Sequence, residues 1–174
     1  VQVVIVPIAA TKPGVLDAAK ALADTLNASG IRAKLDDRDF SPGWKFNEWE
    51  MKGVPLRLEL GPRDLEGGVV TAARRDTTEK TTLPLSGIAE TVKNVLDTVH
   101  NDMFAAAKRF MDSHIKPVST LDELGAAVEN GWALADWCGD RACEDKIKEQ
   151  FQATSRNMPF DQSTLGKTCV CCGK

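Results

Sequence analysis

The chain has 174 residues, 43% of them hydrophobic and 27% charged, which excludes disorder as the default and allows one ordinary domain or one domain with a small appendage. A formal net charge of −3 means that any contact with nucleic acid must come from a local basic patch and not from the overall field. No apolar run reaches the roughly 18 residues needed to span a bilayer, and Val1 to Ile8 lacks the basic region and small-residue cleavage site of a signal peptide, so no membrane partner and a cytoplasmic location are expected.

In chain order, Val1, Val3, Val4, Ile5 and Val6 form a nearly continuous apolar run, the pattern of a strand buried on both faces. Val15, Leu16, Ala19, Leu22, Ala23 and Leu26 recur at helical spacing until Gly30 stops the pattern. Ile31, Ala33 and Leu35 then alternate with Arg32, Lys34 and Asp36, giving a second strand and, with the first, a parallel unit. Ser41-Pro42 is the N-cap and first position of a short helix through Met51, closed by Gly53.

Leu56, Leu58 and Leu60 alternate with Arg57 and Glu59 as a third strand. Gly61-Pro62-Arg63-Asp64 and Gly67-Gly68 read as turns leading back into a strand from Val69 to Ala73. From Ile88 onward, Val92, Val95, Leu96, Val99, Met103, Ala106 and Phe110 trace one face of a long helix. Pro117 reads as a boundary. Thr120 with Glu123 forms a capping-box pattern for a helix ending near Gly131. The expected division is a first domain over 1–115 and a second over 116–174.

All five cysteines follow Trp137. Cys138 and Cys143 make a C-x4-C pair, and Cys169, Cys171 and Cys172 include a C-x2-C ahead of Gly173. Two close pairs separated by a loop supply four thiolates for tetrahedral zinc, and in a reducing compartment such a cluster points to metal before disulfide. Cys169 with Cys172 gives the usual knuckle spacing, whereas Cys169 with Cys171 would leave Cys172 free. Free or disulfide-bonded thiols and a redox C-x-x-C are the competing readings; the last is disfavoured because such motifs open a helix after a strand.

The segment from Asp36 to Asp76 concentrates aromatic and charged residues at strand ends. Phe46 and Glu50 share a face of the short helix. Arg57 projects opposite to its neighbouring leucines, Arg63 and Asp64 sit in the following turn, and Arg74, Arg75 and Lys80 follow the fourth strand. Such a set suits the reading of unpaired bases: an aromatic face stacks a base, carboxylates accept from guanine N–H groups, and arginines hold phosphates or the O6/N7 edge. The plainer alternative makes Trp44, Phe46 and Trp49 core and the charges solvated ion pairs. No catalytic constellation is present, and His100 and His114 read as surface or capping residues.

The runs Asp36-Asp37-Arg38, Pro42-Gly43-Trp44-Lys45-Phe46-Asn47-Glu48-Trp49-Glu50-Met51-Lys52-Gly53-Val54-Pro55-Leu56-Arg57 and Glu59-Leu60-Gly61-Pro62-Arg63-Asp64-Leu65-Glu66 closely resemble the anticodon-binding domain of prolyl-tRNA synthetases of the archaeal and eukaryotic type, a likeness that extends to the cysteine-bearing end. The resemblance implies an α/β fold, a mixed five-stranded sheet flanked by helices, followed by a small α+β zinc-binding domain. It implies a grip on the anticodon stem-loop of tRNA for proline, with its two guanines recognised by Phe46, Glu50, Arg57, Arg63, Asp64 and Lys80. Glu50 and Asp64 would be the guanine acceptors and Phe46 the stacking ring; Lys80 lies in a Thr77–Thr82 loop of variable length. Structural zinc would be held by Cys138, Cys143, Cys169 and Cys172, Cys171 being the open alternative.

The same resemblance places the motifs for ATP, Mg and proline upstream of Val1, so that the parent enzyme would activate proline with ATP and transfer it to tRNA, and this chain is expected to do neither. Family members also run on to a C-terminal tyrosine, and this chain contains none. The parent is expected to be a homodimer through its catalytic body and this chain a monomer. A stand-alone RNA-binding or accessory interaction module would keep the fold but lose guanine preference, and a thiol redox protein would show a reactive thiolate without stoichiometric metal.

Overall fold

The structure is a computed structural model that describes residues 1–161 and 168–174. It divides into two compact units, Val1–Phe104 and Ala105–Lys174, with the division falling inside the longest helix.

The first unit is built on β1 (Val3–Pro7), whose run of β-branched residues is buried throughout because strands flank both of its edges and helices pack on both of its faces. β2 (Ala33–Leu35) and β3 (Leu56–Leu60) flank it in parallel, Val3 pairing with Ala33 on one side and Leu56 on the other. β4 (Val69–Arg74) and β5 (Lys80–Pro84) continue antiparallel, completing the order β2-β1-β3-β4-β5. This is the expected mixed five-stranded sheet.

Three local details differ from the sequence reading. The Gly61–Asp64 turn is the entry to a short helix, α3 (Pro62–Glu66), with Pro62 at its first position, where a missing N–H costs nothing. The Thr77–Thr82 segment is not a loop throughout, because β5 begins at Lys80. Pro117, read as a boundary, is the last residue of a short strand, Ile115–Pro117, that the sequence did not single out.

Alternation splits the sheet into two unlike faces. Val3, Ile5, Leu56, Leu58, Leu60, Val70, Ala72 and Leu83 point one way and pack with Ala19, Leu22 and Leu26 of α1 (Val15–Ala28) and Ile88 and Val92 of α4 (Ile88–His114). On the opposite face Val4 and Val6 meet Trp49 and Phe46 of α2 (Pro42–Met51), together with Val54 and Ile8. As the sequence suggests, Ser41 caps α2, its Oγ accepting from the Trp44 N–H at 3.4 Å. The apolar stripe of α4 is buried only in its first half: Val92 and Val99 are covered, whereas Met103 and Phe110 are exposed.

In the second unit, β6 (Ile115–Pro117) and β7 (Trp132–Leu134) form a parallel pair, joined through α5 (Leu121–Val128). The Thr120 capping box forms: its hydroxyl accepts from the Glu123 N–H at 3.3 Å, and the Glu123 carboxylate accepts from the Thr120 N–H at 3.2 Å. α6 (Arg141–Phe151) packs on α5 so closely that a Cβ at Gly125 would stand 2.4 Å from the Phe151 ring. The core here is small: Val118, Leu124 and Val170, edged by Ile147, Phe151 and Cys171.

Candidate nucleic-acid interface and metal centre

The α2 face of the sheet carries the first candidate site. Residues paired across the strands share a face, so the registers Arg57↔Ala73↔Lys80 and Glu59↔Thr71↔Thr82 line up Arg57, Glu59, Thr71, Lys80 and Thr82 beside Val4 and Val6. Toward β1 this face is covered by Trp49 and Phe46; toward β5 it ends in polar and charged groups.

Four of the predicted residues meet there. The Arg57 guanidinium lies 3.9 Å from the centroid of the half-buried Phe46 ring, and the Lys80 ammonium lies 5.6 Å from it. Arg57 Nη1 donates to Glu50 Oε1 at 2.6 Å, and its Nε donates to Glu59 Oε1 at 3.1 Å. The Glu50 side chain remains 51% exposed, while those of Arg57 and Glu59 are each 11% exposed. A shallow concavity next to this group is bounded by Trp49, Glu50, Arg57, Arg74 and Arg75.

Asp64 and Arg63 are placed differently. Asp64 caps α3, its Oδ2 accepting from the Gly61 N–H at 2.8 Å, and its Oδ1 accepts from the Thr71 hydroxyl at 3.1 Å. That second bond docks Asp64 on the same sheet face, one cross-strand step from Glu59. Arg63 is exposed on α3. Arg74 is drawn away, pairing with Asp76 at 2.6 Å and Asp102 at 2.7 Å.

The helix that presents Phe46 and Glu50 is fixed by a buried acid. Asp36, at the end of β2, is 2% exposed; its Oδ2 accepts from Trp49 Nε1 at 2.7 Å and from Arg38 Nη2 at 2.7 Å. Arg38 also pairs with Glu48 on α2, and the buried Lys45 donates to the Asp36 carbonyl at 3.1 Å. The Arg38 hydrogen bond, with help from Trp49, holds the Asp36 carboxyl well below the usual carboxylate range against the opposing effect of burial. Trp49 is therefore core, Phe46 half-core, and Trp44 exposed, stacked on Phe40 at 4.2 Å.

The second candidate site is formed by cysteines. The sulfurs of Cys138, Cys143, Cys169 and Cys172 all lie within 4.8 Å of one another, with Cys138 to Cys143 at 3.7 Å and Cys172 to Cys138 at 3.8 Å. Four sulfurs about 2.3 Å from a tetrahedral ion would be separated by about 3.8 Å, so this set could hold a metal ion. Gly139 and Gly173, with φ of +82° and +72°, permit the left-handed turns that fold each pair inward. Cys143 sits in the first turn of α6, where burial, with the neighbouring thiols, pushes its own thiol up. Burial would raise the Cys169 thiol, but N–H donors from Cys172, Cys171 and Cys138 outweigh it and bring it down to about 6. Cys171 packs against the apolar cluster of Val118, Leu124 and Val170.

Glu59 and Thr71 were not singled out in the sequence. The alternation of Arg57 and Glu59 marks them as facing away from the leucines, but their partners depend on the pairing of β3 with β4 and β4 with β5.

Comparison with known proteins shows the family to which the chain belongs. A family model described as prolyl-tRNA synthetase, C-terminal, matches residues 121–174. A proline–tRNA ligase of Clostridium botulinum (strain Loch Maree / Type A3) is 50% identical over 175 residues, covering 99% of this chain and 36% of the relative. Proline–tRNA ligase 2 of Clostridioides difficile (strain 630) is 47% identical over 177 residues, covering 100% and 37% respectively. A proline–tRNA ligase of Lachnospira eligens is 47% identical over 176 residues with the same coverage. The chain thus spans little more than a third of the length of these relatives. Among the described residues no helix is long and apolar enough to cross a membrane. The model described as anticodon binding domain matches residues 2–95, more than half of the chain and the whole of the sheet that carries Phe46, Glu50 and Arg57, and the chain belongs to that anticodon-binding family.

Proposed function

We propose that this chain reads the anticodon of tRNA for proline as the C-terminal part of a proline–tRNA ligase. The observation that carries this is the convergence of Phe46, Glu50, Arg57 and Lys80 on a sheet face open toward β5. Glu50, exposed at the rim, suits acceptance of the paired N–H donors of guanine. Asp64, with Arg63 beside it, is the second acceptor. Phe46 and the guanidinium layered on it form the stacking platform, since bases stack on aromatic rings and on arginine planes. Arg57 and Lys80 supply contacts to base edges or phosphates.

In this reading residues 1–115 bind the anticodon stem-loop and residues 116–174 form a domain held by structural zinc on Cys138, Cys143, Cys169 and Cys172. Four thiolates in a closed set are the donors zinc takes in structural sites. The whole protein would ligate proline to tRNA in the cytoplasm, using ATP with Mg in a catalytic body that also makes the homodimer, the present chain alone being a monomer.

The test is binding of an RNA hairpin with the proline anticodon, compared with one in which both anticodon guanines are replaced by adenine. Binding should favour the guanine hairpin, weaken with salt through loss of phosphate contacts, and fall about tenfold or more in Glu50→Ala, in keeping with the discrimination that paired base-edge bonds confer. Equal binding of the two hairpins would refute anticodon reading.

A further inference from the structure

We infer that Glu59 is a positioning residue for guanine selectivity, acting through Arg57 and Lys80 and never touching the base; the inference rests on the anticodon-reading role proposed above. Glu59 is unusual within this surface. It is a carboxylate in the middle of a strand, 9% exposed, with its backbone locked between Val6 of β1 and Thr71 of β4. A buried carboxylate is retained only when its charge is matched. Here both oxygens are matched by the two cations of the binding face: Oε1 by Arg57 Nε at 3.1 Å and by Lys80 Nζ at 2.9 Å, and Oε2 by Lys80 Nζ at 3.0 Å.

Arg57 is therefore shared between two carboxylates of opposite character. Glu50 is on a helix surface and half exposed; Glu59 is buried within the sheet. A guanine that donates its N–H pair to Glu50 must displace the Arg57 Nη1–H from that carboxylate. Once displaced, Arg57 keeps its place on the Phe46 ring because Nε–H remains bonded to Glu59. Lys80 is likewise kept near the same ring and away from Glu50. Glu59 thus leaves Glu50 open to a neutral donor edge in the presence of two cations that would otherwise compete for it.

Loss of the Glu59 charge has a signature that loss of structure does not share. In Glu59→Gln the side chain still fills its space, but Arg57 and Lys80 are released toward Glu50, which weakens guanine binding. The surface also becomes more positive, which favours phosphate contacts with any RNA. The first effect falls on the guanine hairpin and the second strengthens both hairpins alike, so the ratio of their affinities falls while binding of the adenine hairpin does not weaken.

The experiment measures, for the metal-loaded 174-residue chain and its variants, affinity for the guanine hairpin and for the adenine-substituted hairpin. The expected result is a guanine preference that drops about tenfold in Glu59→Gln, with adenine-hairpin binding unchanged or tighter. In a Glu50→Ala background Glu59→Gln should change the ratio little, because the group it keeps free is gone. Glu59→Asp keeps the buried charge but withdraws it by one methylene and should fall between; it carries the test if Glu59→Gln does not fold. An unchanged ratio in Glu59→Gln, or in Glu59→Asp where that variant stands in, overturns the inference while leaving anticodon reading intact. No preference in the unmodified chain removes both.

Discussion

The two compact units differ in the apolar core that their described residues bury. Residues Val1–Phe104 bury a cluster of fifteen apolar side chains between sheet and helices. Among the described residues of Ala105–Lys174 the corresponding cluster has three buried members, on a scaffold that includes two three-residue strands. A unit of the second size rarely sustains itself on apolar burial alone, and here four thiols converge where a core would otherwise be needed. The comparison teaches that geometry in the first unit is set by packing, whereas the second has little core to set it and gathers instead four thiols that could hold a metal ion. Val170 and Cys171 lie between two of the thiols in sequence and pack into the small core, so the thiol cluster and the apolar burial in that unit share one short segment.

The sharpest way to break the comparison is to remove metal. Chelation should unfold Ala105–Lys174 and leave Val1–Phe104 folded, since structural zinc contributes on the order of 10 kcal/mol or more; hydrogen exchange resolved by segment checks this, and equal loss of protection in both units would contradict it. Leu58→Ala addresses the other side. Leu58 is fully buried at the centre of the sheet, and its truncation should lower the stability of the first unit by about 2–5 kcal/mol, seen in urea unfolding, without altering metal content.

A smaller effect concerns Asp36. Its folded-state carboxyl is depressed relative to an unfolded value of about 3.9, so its stabilisation is complete above that value and is lost as pH falls below it. Asp36→Asn should cost on the order of 2 kcal/mol at neutral pH, the scale of a hydrogen bond to a charged group. It should also flatten the decline in stability below about pH 4. Exchange protection of the β1 amides, followed as a function of pH, measures both. An acid profile identical to that of the unmodified chain would mean that Asp36 does not anchor α2.

Much of the fold was legible because several segments carry their own instructions. The apolar run of β1, the helical spacing of α1, the Ser41-Pro42 cap and the Thr120–Glu123 box are local signals, and the structure realises each. The segments misread lack local signals. α3 is one turn long, too short for periodicity. β5 buries only Leu83 among its five residues, so its pattern resembles a polar loop. β6 ends in a proline tolerated at a strand terminus. For the site, the helical spacing of Phe46 and Glu50 and the outward direction of Arg57 could be read from alternation, but Glu59 could not. Its surroundings arise from β5 arriving two strands away, a long-range pairing that no window around residue 59 contains.

The outermost strand β5 leaves one row of backbone donors and acceptors without a neighbouring strand in the sheet order, a feature that in many proteins invites another chain to add itself. Lys80 at its start and Pro84 at its end are the residue types that discourage such recruitment. Lys80 thus has two duties, repelling a would-be sixth strand while lying tethered to Glu59. The sheet margin is thereby guarded against self-templating without being covered, and remains accessible to a partner that is not a β-strand.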